Sequence, residues 1–182
     1  MLDDKSIIFY IKDNNNKYKQ DYKITTNDSC YTVIQTKDNE ICYSEGNNSV
    51  YFYDLKEKKI KSKINNIISN KTIFRGFIMI NKDLLLIPGI NKISIININE
   101  YNIIKIIDEP NSGKIICVCM LIENILITGD SHKVIRLWKI EGDNLILISQ
   151  KENIHNGGIY TLINIGDGHI ASGSEDNLIK IW

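Results

Sequence analysis

The stretch His169-Ile170-Ala171-Ser172-Gly173-Ser174-Glu175-Asp176-Asn177-Leu178-Ile179-Lys180-Ile181-Trp182 begins as an apolar strand carrying small residues. It crosses a polar turn and ends as an alternating strand capped by a bulky ring. The same layout occurs three more times upstream. The corresponding closing strands are Val50-Tyr51-Phe52-Tyr53, Ile93-Ser94-Ile95-Ile96 and Ile135-Arg136-Leu137-Trp138. Their bulky ends fall at 53, 96, 138 and 182, in steps of 43, 42 and 44. The turns before them are Gly46-Asn47-Asn48, Gly89-Ile90-Asn91, Gly129-Asp130-Ser131 and Glu175-Asp176-Asn177. An earlier turn also recurs, at Lys37-Asp38-Asn39, Asn81-Lys82-Asp83, Glu123-Asn124 and Gly166-Asp167-Gly168. Landmarks that keep one register over four units mark an internal repeat.

Each unit holds about four short strands with turn signals every ~8–12 residues, the pattern of all-β architecture. In the third unit the strands are expected near 114–121, 125–129, 134–140 and 145–150. No useful length of chain carries a 3.6-residue apolar period, so helix should be nearly absent. A lone four-stranded sheet leaves both faces uncovered. Radial stacking covers them, which predicts a β-propeller of about four four-stranded blades.

The fourth unit, His155-Asn156-Gly157-Gly158-Ile159-Tyr160-Thr161-Leu162 followed by Gly166 to Trp182, resembles a WD repeat. The third, Ile127 to Lys139, is similar but partly eroded. The strong resemblance covers residues 111–182 and a weak one covers 29–110. It implies a WD-type propeller in which a buried chain of His, Ser or Thr, Asp and Trp locks each blade. Unit four supplies His155, Ser172, Asp176 and Trp182 for it. The chemistry is coherent, since Trp can only donate, a hydroxyl donates and accepts, and a carboxylate accepts from imidazole. Unit three keeps Thr128 and Trp138, with His132 at the Asp position and Asn111 near the His position. Unit one offers Asn47 and Tyr53, and unit two Ile90 and Ile96. One blade alone is therefore expected to carry the whole network. His, Ser and Asp together also suggest a hydrolytic triad. Their spacing within one repeat is already accounted for by the WD pattern, so a non-enzymatic chain is expected.

Residues 1–28 read as a half-blade of third and fourth strands. Repeat 1 spans 29–70, repeat 2 71–110, repeat 3 111–153, and repeat 4 154–182, which lacks its fourth strand. The resemblance implies a role for strand 17–24, because such propellers commonly close by letting the amino-terminal strand complete the last blade. Three arrangements fit four units: a closed four-bladed ring, a truncated or split propeller missing blades, and two chains joined in one ring. The exposed edges and faces of an open arc favour an incomplete, fragmentary propeller. They also imply self-association or assembly with missing blades.

The composition agrees with strands. The 182 residues are 43% hydrophobic and include 39 Ile, a β-branched residue that packs well on a pleated sheet. The 22 Asn and 20 Lys look like compositional drift, so a single surface Asn or Lys says little. Basic and acidic residues balance at 22 each, which argues against a generally electrostatic nucleic-acid binder. The longest apolar run, Ile115 to Ile122, is far below the ~18–20 residues of a membrane span, and the amino terminus lacks a signal pattern. These features predict an intracellular protein, cytoplasmic first, with the nucleus left open. Cys30, Cys42, Cys117 and Cys119 lack metal-ligand spacing. Cys117 and Cys119 share one strand face as small core residues. Phosphate-loop and zincin motifs are missing, so neither cofactor nor metal is expected.

The expected role is a scaffold for protein or peptide partners, with a contact face at the turns that include Asn47, Asn91, His132 and Glu175. The alternative is a phosphoinositide- or nucleic-acid-binding propeller using the basic run Lys56, Lys58, Lys59, Lys61 and Lys63. Zero net charge and the lack of interleaved aromatics disfavour it. An outer edge strand guarded by Lys, with Ile60 and Ile64 facing inward, explains that run more simply. Phe74-Arg75-Gly76 is a weak hint of a lipid-binding motif. A fragment without independent function is the third reading.

Overall fold

The computed structural model describes residues 5–67, 76–109 and 113–182; Arg75 and Asn111 lie outside them. Among the described residues every regular element is a strand. The first two, β1 (Ser6–Lys12) and β2 (Tyr18–Thr25), form a hairpin. Blade one follows with β3 (Cys30–Lys37), β4 (Glu40–Glu45), β5 (Ser49–Asp54) and β6 (Lys59–Ile64). Blade two has β7 (Ile78–Met79), β8 (Leu84–Pro88), β9 (Lys92–Asn97) and β10 (Asn102–Asp108). Blade three has β11 (Ile115–Ile122), β12 (Ile125–Asp130), β13 (Ile135–Glu141) and β14 (Asn144–Lys151). Blade four ends the chain with β15 (Ile159–Gly166), β16 (His169–Ser174) and β17 (Ile179–Ile181). Each sheet is an antiparallel meander in sequence order, and the four blades make a β-propeller.

The core sits between sheets. Cys42, Val50 and Phe52 of blade one meet Leu85, Ile87 and Ile96 of blade two. Leu86, Ile93 and Ile95 of blade two meet Ile115, Leu126 and Trp138 of blade three. Cys117, Cys119 and Ile127 of blade three meet Ile159, Leu162 and Ile170 of blade four. The hairpin joins the stack from the front, with Ile7, Phe9, Tyr22 and Ile24 packing on Ile41, Tyr43, Tyr51 and Tyr53. Gly129 permits a close approach of blade four to blade three. A methyl group there would lie 2.7 Å from Ile159 Cγ2 and 2.9 Å from Cys117 Sγ. Both β11 thiols are buried in this junction, and burial first of all pushes Cys117 up to about 12, so it stays a protonated apolar group.

Two expectations need correction. Strand 17–24 does not complete blade four: β2 pairs with β1, the hairpin packs on blade one, and the last sheet contains three strands. Ile60 does not face inward beside Ile64. Ile64 packs into the junction with blade two, whereas Ile60 lies opposite Tyr53 and is half exposed. A register shift between Phe52 and Tyr53 is the cause, because one extra residue in a ladder turns the following side chains to the other face. The same shift recurs at Phe9/Tyr10, at Leu137/Trp138 and opposite Ile96 in blade two, always beside the bulky residue that ends the repeat.

The bulky residue is thus the pivot of its junction, whereas Ile60, opposite Tyr53, is peripheral. Trp138→Ala should cost about 3–5 kcal/mol of unfolding free energy, the scale for emptying a buried ring site. Ile60→Ala should stay within about 0.5 kcal/mol, as at an ordinary surface position. Urea denaturation of the two variants measures both; equal losses would show that the pivot is misplaced.

Candidate functional site

Polar side chains gather at two places, a buried chain in blade four and the end of the blades where second strands turn into third strands.

In blade four, His155 precedes β15, Ser172 lies on β16, Asp176 in the following turn and Trp182 just past β17. The ring Nδ1 of His155 stands 2.9 Å from Asp176 Oδ2, and Nε2 stands 2.8 Å from Ser172 Oγ. Trp182 Nε1–H donates to the same hydroxyl at 2.8 Å. With one ring proton on Nδ1, His155 donates to Asp176 and accepts from Ser172, so every polar atom of the chain is used. Ser172 and His155 are fully buried. Burial by itself would raise the Asp176 carboxyl. The Asn156 amide, the His155 ring and the Leu178 amide outweigh it and hold the carboxyl at about 2.

The other blades fill the equivalent positions differently. In blade three Trp138 Nε1–H donates to Thr128 Oγ1 at 2.9 Å, and both are buried. His132, at the Asp position, is exposed. Close by, buried Asp130 accepts the amides of His132 and Val134 at 2.8 and 3.0 Å and pairs with the buried Arg136 guanidinium. In blade one Tyr43 stands at the hydroxyl position and stacks on Tyr51, with ring centroids 5.1 Å apart. Tyr53, at the Trp position, meets the Tyr22 hydroxyl of the hairpin. Burial, then that bond, push its phenol up to about 12. Asn47 Oδ1 accepts the Ser49 amide at 3.1 Å, as Asp176 accepts that of Leu178, but its Nδ2 donates to Glu45 Oε2 at 3.1 Å and to the Tyr51 hydroxyl at 3.0 Å, where Asp176 meets His155. Blade two replaces the chain with Leu86 and Ile96, both fully buried.

Asn47, Asn91, His132 and Glu175 are all exposed on turns between second and third strands. Because the strand order repeats in every blade, they stand at one end of the stack. Backbone bonds fix these turns: the Asn91 amide donates to Gly113 O at 2.6 Å, and the Glu175 amide to Gly158 O at 3.0 Å. The basic run has partners. Lys61 Nζ donates to Glu40 Oε2 at 3.2 Å, and Lys59 lies 3.8 Å from Glu57. Lys58 and Lys63 sit over the Tyr22 and Tyr51 rings at 4.9 and 5.1 Å, while Lys56 is exposed.

One cluster escaped the sequence reading. Glu40, almost completely buried, accepts from the Tyr101 hydroxyl at 2.5 Å and from Thr36 Oγ1 at 2.9 Å as well as from Lys61. Lys37 Nζ reaches Ile98 O at 2.9 Å and lies 5.4 Å from the centre of the Tyr101 ring. The cluster ties blade one to blade two. Its carboxylate opens β4 directly after the Asp38-Asn39 turn, beside residues that are normally solvated, and its phenol is 61 residues away. A local signal therefore does not exist.

No protein-family model matches the chain. A 75-residue stretch is 28% identical to the Echinoderm microtubule-associated protein-like elp-1 of Caenorhabditis elegans. The similarity covers 41% of this chain and 8% of that protein, so the chain corresponds to a small part of the relative's length.

The buried chain makes two measurable demands. Ser172→Ala leaves His155 Nε2 and Trp182 Nε1 unpaired and should cost about 1–3 kcal/mol in urea unfolding, with Thr128→Ala its milder counterpart. The Asp176 carboxyl sits below its unfolded value of 3.8, so its contribution is full above about pH 4 and is lost as pH falls towards about 2. Asp176→Asn should flatten the decline of the urea midpoint across that window; an unchanged slope would mean the carboxylate is not held by these donors.

Proposed function

We propose that the chain is a non-enzymatic propeller of WD-repeat type that presents its turn end to protein or peptide partners. The observation that supports this most directly is the set of exposed side chains at Asn91, His132 and Glu175 on turns pinned by backbone bonds. Rigid turns on a stacked frame bind with little ordering cost, which suits an assembly surface. The buried chain in blade four fits the same role, since a satisfied polar network rigidifies the blade that carries it. His155 and Ser172 resemble a base and a nucleophile, yet both are sealed in the blade with their hydrogen bonds taken. An intracellular setting, the cytoplasm first, suits four free cysteines.

The phosphoinositide or nucleic-acid reading is weaker because three lysines of the basic run are already committed to Glu40, Tyr22 and Tyr51. Among the described residues no helix is long and apolar enough to cross a membrane. The similar nematode protein is named as microtubule-associated, so polymerised tubulin is the first protein partner to try.

Binding to polymerised tubulin, to phosphoinositide vesicles and to single-stranded RNA should be compared at low and high salt. The expected result is saturable binding to the protein partner with shallow salt dependence, reduced by the pair His132→Ala and Glu175→Ala. Binding to vesicles or RNA that falls steeply with salt and disappears in Lys56→Glu with Lys59→Glu would replace this reading with the electrostatic one.

A further inference from the structure

Each junction between sheets uses the same two elements. The sheet in front offers two side chains, at i and i+2 on its third strand, and the next sheet offers the bulky residue that ends its own third strand. Ile7 and Phe9 of the hairpin pack toward Tyr53. Val50 and Phe52 pack toward Ile96, and Ile93 and Ile95 toward Trp138. Ile135 and Leu137 pack in the junction that contains Trp182. The series has one more member at each end. In blade four the forward pair is Ile179 and Ile181, and they are 79% and 67% exposed, whereas Val50, Phe52, Ile93 and Ile95 are 0% exposed. In the hairpin the rear face presents Ile8 and the pivot-position Tyr10, which is 58% exposed where Trp138 is 1%.

The strand registers put further residues on the same two faces. Ala171 pairs with both Ile163 and Ile181, so these three form one row on the forward face of blade four. Ile163 stands where blade three has the buried Cys119, and it too is exposed. On the hairpin Tyr10 pairs with Gln20 across the same register shift that sets Trp138 opposite Leu147. Among the described residues, the exposed rows on blade four and on the hairpin are thus the two halves of the contact made internally at every junction.

We propose that these two faces are a self-association interface: Ile163, Ile179 and Ile181 of one copy stack on Ile8 and Tyr10 of a second copy, head to tail. The occupant is a second copy because the chain itself supplies the matching face, and because this contact continues the stacking already established from the hairpin to blade four. Such a contact is heterologous. Two copies close a ring if the rotation permits, and otherwise longer assemblies form. The inference rests on the repeat frame and is independent of the partner reading above.

The experiment is sedimentation velocity of the 182-residue chain between 1 and 100 µM, roughly the range in which weak protein contacts of this kind titrate. The wild type should shift reversibly from monomer to larger species with concentration. A tail variant, Ile179→Lys with Ile181→Lys, and a head variant, Ile8→Lys with Tyr10→Lys, should each remain monomeric alone. Mixed one to one, they should form a dimer, because each keeps one intact face and the two intact faces are complementary. All four positions are at least partly exposed, and circular dichroism with urea unfolding verifies that each variant is folded; Ile181→Ser serves as a milder tail variant if the double change fails that check. A wild type that stays monomeric at 100 µM overturns the proposal. So do folded head and tail variants that fail to combine, or variants that still self-associate alone.

Discussion

The structure depends on one repeated contact: a pair of side chains two residues apart on a third strand, pressed against the bulky end of the next third strand. A four-stranded sheet of this size cannot cover its own faces, so each blade is stable only through its neighbours. The contact also explains the recurrent register shift beside the bulky residue. An extra residue there turns the outer strand and sharpens the twist, which lets successive sheets fan around a common axis.

Around that contact, chemistry varies from blade to blade. Blade four closes with a hydrogen-bonded chain from Asp176 to Trp182, and blade three keeps only Thr128 with Trp138 beside a buried Asp130–Arg136 pair. Blade one substitutes stacked tyrosines, and blade two aliphatic side chains. These are different solutions to filling one position. A polar solution must be satisfied at every atom, whereas an aliphatic one needs only volume. That asymmetry fits blades one and two keeping the spacing without the polar chain: an isolated His or Asp without its partners is costlier to bury than a Leu.

The frame has consequences for function as well. Turns between second and third strands are fixed by backbone bonds at both ends, so their exposed side chains are presented without much freedom. Lys58 before β6 and Lys61 and Lys63 on it stay exposed but contact the Tyr22 ring, Glu40 and the Tyr51 ring. Surface charge in this protein thus serves the frame at several places where its density alone suggested a ligand. Glu40 shows the reverse case, a carboxylate at the start of β4 drawn inside because Tyr101, Thr36 and Lys61 together satisfy it.

The repeat, its period and the strand content were legible from the sequence because they are local. Alternation of side chains, turn residues and a bulky end every 42 to 44 positions are properties of neighbouring residues. The blade-four chain was legible through the resemblance of that unit to a WD repeat, and its bonds from Asp176 to Trp182 are what the structure adds. Only the tertiary structure decided the rest. Ile60 turns outward through a bulge that leaves no mark in composition, and Glu40 is buried by a tyrosine 61 residues away. Whether β2 joins β1 or the last blade depends on which sheet faces lie within reach, a property of the stacked whole. Periodicity specifies what each strand can offer; the packing of sheets decides which offers are taken up.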